Sequence, residues 1–76
     1  MKIKTTFEKV NEGLRTIQKN GGRVAISGSG GSVSIQGVKA RFHFDQDTDI
    51  LQVVIDDKPW LASNAMIEEK ISEFFG

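Results

Sequence analysis

Asp45, Asp47 and Asp49 stand at alternate positions, the spacing at which the first three carboxylates of a calcium loop offer oxygens to a hard cation. The pattern stops there. Ile50 holds the place where such a loop needs glycine for its sharp turn, and Asp56 stands where a bidentate glutamate is required. The segment reads as an acidic hairpin turn, a common use of Asp. Gly28-Ser29-Gly30-Gly31-Ser32 offers consecutive backbone amides of the kind that cradle phosphate, but no lysine and no helix follow, as a nucleotide-binding loop demands. Neither Ser29 nor Ser32 has glycines at both offsets of a Gly-x-Ser-x-Gly nucleophile turn. A mobile hairpin loop is the expected use. His43, the single histidine, is flanked by Phe42 and Phe44 and reads as a surface or rim residue opposite buried phenylalanines. With no cysteine and no carboxylate pair set in a concavity, a small enzyme or a metal-binding protein has the least support, and no cofactor is expected.

The charge that remains is unevenly placed. Residues 1–43 carry eight Lys/Arg against two Glu, and residues 44–76 carry two Lys against eight Asp/Glu, so zero net charge hides a dipolar chain. Such a chain offers a basic surface to a polyanion, associates head to tail, or neutralises itself within one fold.

These residues must be positioned by one small α+β domain over residues 1–76, burying only about 60 % of its unfolded surface. The absence of cysteine removes disulfides and thiolate metal sites as reinforcement. No signal-length or bilayer-length apolar run occurs, so the expectation is a cytoplasmic protein with no membrane partner.

Phe7, Val10, Leu14 and Ile17 recur at helical spacing, predicting a helix from Thr6 to Asn20. Thr5 and Glu8 have the form of a capping box, and Gly21-Gly22 supplies the stop. From Arg23 the period becomes two, with Val24 and Ile26 on one face. A second strand is expected from Val33 to Phe44. Its apolar parity changes at Gly37, which one extra residue in a bulge would absorb. Its opposite face then presents Lys39, Arg41 and His43. Ile50 to Ile55 is the strongest strand signal, with Leu51, Val53 and Ile55 facing the core, and Asp56-Asp57-Lys58-Pro59 closes it. Trp60 and Leu61 are expected to cap the core, and Met66 to fill a gap in it. Ser63 reads as the N-cap of a second helix burying Ile67, Ile71, Phe74 and Phe75. The order helix-strand-strand-strand-helix predicts a three-stranded antiparallel meander with both helices on one face.

Two surfaces then qualify for function. In a meander the third strand is an edge, and Ile50 to Ile55 carries neither charge nor proline to discourage pairing. Ile50, Gln52 and Val54 also fall on the free sheet face. The leading expectation is a small non-enzymatic protein-interaction module that self-associates, or meets another protein, through this edge and face, unless a terminal segment covers the edge. The alternative is nucleic-acid or polyanion binding through Arg23, Lys39, Arg41 and His43. That reading lacks aromatic stacking residues, since there is no Tyr and the phenylalanines fall on apolar stripes.

Overall fold

The computed structural model describes residues 1–75. Seven elements follow one another: β1 (Lys2–Lys4), α1 (Phe7–Lys19), β2 (Arg23–Ser27), β3 (Gly30–Ile35), β4 (Val38–Asp45), β5 (Ile50–Asp57) and α2 (Asn64–Phe75). The strands form one antiparallel sheet in the order β1-β5-β4-β3-β2. The α+β class stands, but the sheet has five strands rather than three. The chain enters at one edge, crosses by α1 to the opposite edge, and returns strand by strand.

Val10, Leu14 and Ile17 of α1 join Phe75 of α2 in a core with Ala40, Phe42, Phe44, Leu51 and Val53, so both helices lie on the same sheet face. Thr6, not Thr5, caps α1 by accepting the Lys9 N–H at 3.2 Å. Thr5 is buried and donates its hydroxyl to the Phe75 carbonyl. At the other end of α1, Gly22 N–H reaches the Ile17 carbonyl and Gly21 N–H that of Gln18, the paired bonds of a Schellman stop. α2 begins as expected, with the Ser63 hydroxyl accepting the Met66 N–H at 3.2 Å. The helices cross at Gly13, where an added Cβ would stand 2.5 Å from the Phe75 ring.

The expected second strand is two strands. Gln36 and Gly37 have φ of 51° and 80°, and Ile35 pairs with Val38 around them. This is a two-residue hairpin of the type I′ kind, whose twist matches that of the flanking strands. The parity change at Gly37 is therefore a chain reversal. The sheet's bulge sits instead in β5: Lys39 faces Asp57 and Ala40 faces Ile55, leaving Asp56 as the extra residue. The glycine-serine loop is likewise shorter than expected. Only Gly28 and Ser29 turn, while Gly30 and Gly31 pair within β3. A Cβ there would meet the Phe42 and Ala25 carbonyls, so these glycines serve close strand approach.

β5 is not an edge. Lys2, Ile3 and Lys4 pair with Gln52, Leu51 and Ile50, the Val53 N–H donates to the Met1 carbonyl at 2.8 Å, and Thr5 N–H donates to the Asp49 carbonyl. Three residues of β1 thus satisfy the backbone that the sequence alone left open. The expected self-association through Ile50–Ile55 loses its edge over Ile50 to Val53. No helix among the described residues is long and apolar enough to cross a membrane.

Candidate functional sites

Register fixes which side chains share the face opposite the helices. One cross-strand row runs Arg23, Ser34, Lys39, Asp57, and the next Ala25, Ser32, Arg41, Val54. A third runs Ser27, Gly30, His43, Gln52, Lys2, and a fourth joins Asp45, Ile50 and Lys4. Arg23, Lys39, Arg41, His43, Ile50, Gln52 and Val54 therefore share one face, with Ile50 half-buried and the others exposed. At about 4.8 Å per strand, Arg23 and Lys39 stand roughly 10 Å apart, with Ser34 between them.

β1 adds Lys2 and Lys4, which the sequence reading missed. The signal was the alternation Lys2-Ile3-Lys4, too short to stand out before its partner strand was known. Against this basic set stand Asp45, Asp56 and Asp57. Arg41 Nε–H donates to both carboxylate oxygens of Asp56, at 2.8 and 3.0 Å. That hydrogen bond, and then the charge behind it, raise the Arg41 pKa above its ordinary value. Arg41 is charged at every working pH with or without this shift, and because the pair lies largely in solvent it adds little to stability.

The acidic turn is organised by its own backbone. Asp45 Oδ1 accepts the Asp47 N–H at 2.9 Å, and Asp49 takes a φ of 56°. Lys4 Nζ donates to the Thr48 carbonyl at 2.8 Å, tying β1 to the same turn. Among the described residues, no group of three or more His, Asp or Glu is gathered closely enough to hold a metal ion.

A second surface was not foreseen. Trp60 is 87 % exposed and Leu61 78 %, so neither caps the core, and Met66 is also exposed rather than filling a gap. The reason is local. Ala62 N–H donates to the Pro59 carbonyl at 2.9 Å, closing a turn that holds Trp60 and Leu61 at its two central positions, where both stand in solvent. Lys58 Nζ braces this turn through the Ala62 carbonyl, while Pro59 leans on the β3–β4 turn at Gly37. Beside it opens a groove of about 580 Å³ lined by Ile35, Val38, Pro59, Met66, Ile71 and Phe74, among others.

A third feature lies at the far edge. In the β2–β3 hairpin the closing pair is Ser27 with Gly30. Because bonding alternates along an antiparallel pair, Arg23, Ala25 and Ser27 exchange bonds with β3 while the amides and carbonyls of Val24 and Ile26 point outward. The Phe44 N–H to Ser29 carbonyl bond fixes the same phase on the other side of β3. The Ile26 side chain is 66 % exposed and flanks a cleft shared with Phe7, Leu14, Phe42 and Phe44.

No protein-family model matches this chain, and no curated protein or solved structure matches it.

Proposed function

We propose that the chain is a small protein-interaction module with no catalytic role, meeting its partner through apolar surface that the fold leaves open. The observation that carries this reading is the Trp60–Leu61 turn: two large apolar side chains exposed in a turn closed by a backbone bond beside an apolar groove. A large exposed aromatic next to a concavity is the composition of a binding hot spot, and single domains rarely expose such a patch without use. On the free sheet face, Val54 stands exposed among mostly polar neighbours and gives a partner a further apolar contact.

The test is site-specific photo-crosslinking from position 61 in cells of the native source, with position 69 on the outer side of α2 as the control. A discrete protein adduct from position 61, abolished by Trp60→Ala, supports the reading. No adduct above the control rejects it.

The second reading, polyanion binding on the free sheet face, is favoured by one specific observation: β1 brings Lys2 and Lys4 onto the face already carrying Arg23, Lys39, Arg41 and His43. It requires oligonucleotide affinity that falls steeply as salt is raised, because phosphate contacts release counterions. Absence of binding at low salt removes it.

A further inference from the structure

β2 ends the sheet with Arg23 as its one charged residue. It is five residues long, contains no proline, no bulge and no charge after Arg23, and no strand among the described residues pairs with its outer side. Natural edge strands are normally blunted by such devices, because outward amides and carbonyls template another strand. Here the outward groups belong to Val24 and Ile26, two positions placed symmetrically about Ala25.

The charge pattern of β2 points to one occupant, since its one charged residue, Arg23, lies at an end and an antiparallel copy sets no like charges opposite each other. We propose that a second copy of this chain pairs with β2, antiparallel and centred on Ala25, joining two five-stranded sheets into one of ten strands. This goes beyond the Trp60–Leu61 reading and uses a different surface, so the two can fail separately. In this register Val24 of each copy exchanges both backbone bonds with Ile26 of the other, and the two Ala25 residues face each other across the axis. A two-fold contact must be complementary to itself, and this one is. Arg23 falls opposite Ser27, so no like charges meet. The small Ala25 side chains admit close approach on one face, while each exposed Ile26 gains an apolar neighbour in Val24 of the other copy on the helix side.

The contact is short, in the class of weak interfaces below about 1,200 Å², so association is followed up to about 1 mM. Sedimentation equilibrium is run on the full chain and on Ile26→Lys, which places a charge at the edge where the wild-type side chain is largely in solvent; circular dichroism checks that the variant folds. Amide exchange is read residue by residue across the same dilution series. The expected result is a dimer weakened at least tenfold by Ile26→Lys and unaffected by Trp60→Ala, with the Val24 and Ile26 amides slowing as concentration rises. The Ala25 amide, already bonded to β3, stays slow throughout.

A dimer broken by Trp60→Ala but not by Ile26→Lys overturns the β2 pairing and leaves the protein-interaction reading standing. A chain that is monomeric at the highest concentration, with Val24 and Ile26 exchanging freely, overturns it as well. So does protection of those two amides by an added extended apolar peptide but not by a second copy; in that outcome the edge takes a different strand. Failure of the wider reading is seen separately, in the crosslinking from position 61.

Discussion

The Thr5 hydroxyl donates to the carbonyl of Phe75 at 2.6 Å, so the junction between β1 and α1 is tied to the last turn of α2. Helix ends leave carbonyls without intrahelical partners, and this buried one is satisfied by a side chain from the opposite end of the sequence. Thr5→Val keeps the shape and removes the donor. It is expected to lower unfolding free energy by about 1–3 kcal/mol, because the Phe75 carbonyl then stays buried without a partner. Thr5→Ser should retain most of the stability. Urea denaturation of the three proteins decides it, and an unchanged Thr5→Val midpoint would show that the bond contributes nothing.

Gly13 predicts the opposite of what helix propensity alone suggests. In an open helix, Gly→Ala gains about 1 kcal/mol. Here the added methyl would lie 2.5 Å from the Phe75 ring and 2.6 Å from the Phe74 carbonyl. Overpacking of this kind costs typically about 1–3 kcal/mol, so Gly13→Ala should melt below the wild type. A higher melting temperature would mean that α1 and α2 stand further apart.

The Gln36–Gly37 turn gives a stabilising substitution. Gln36 holds a φ of 51°, a region that asparagine enters more readily. Gln36→Asn should raise the melting temperature modestly. Gly37→Val, at φ 80°, should lower stability by about 1–2 kcal/mol or more, since a branched side chain resists that conformation. If both changes are neutral, the reversal between β3 and β4 is not a two-residue turn.

On the free sheet face, Asp56 screens Arg41. The pair is largely in solvent, so Asp56→Asn should leave the melting temperature within error. If the face binds polyanions, the same change should tighten a short oligonucleotide several-fold at low salt, and Lys39→Glu should weaken it. Fluorescence anisotropy at two salt concentrations reads both effects. Identical affinities for all three proteins would exclude this face as the contact.

Much of the fold is legible from spacing. The stripe Val10, Leu14, Ile17, the Ser63 cap and the alternation in β4 and β5 each follow from one local period, and each is where the sequence places it. Phe7 is the exception on its stripe: it stays 54 % exposed, lying against Phe44 at the helix's outer end. What spacing hides is pairing between distant segments. Lys2-Ile3-Lys4 has one apolar residue and becomes a strand only because Leu51 receives Ile3. Gln36-Gly37 lacks the asparagine or aspartate that usually announces a tight hairpin, so its parity change has the same signature as a bulge. For the candidate sites, the free-face residues of β4 and β5 follow from parity alone, while Lys2 and Lys4 need the β1–β5 pairing. Trp60 and Leu61 do not, because the turn that exposes them is set by one backbone bond, between Ala62 and Pro59.

The placement of β1 has a consequence for how the chain reaches its native state. β2–β3 and β3–β4 are joined by two-residue turns and close over short loops, whereas Ile3 must find Leu51 across most of the chain. Local contacts form faster than distant ones, since closing a long loop costs more entropy before any contact rewards it. The meander is thus poised to assemble ahead of its shielding strand. Until β1 docks, the uncharged run from Ile50 to Ile55 lies open to the same run in other chains, so the refolding yield is expected to fall as protein concentration rises.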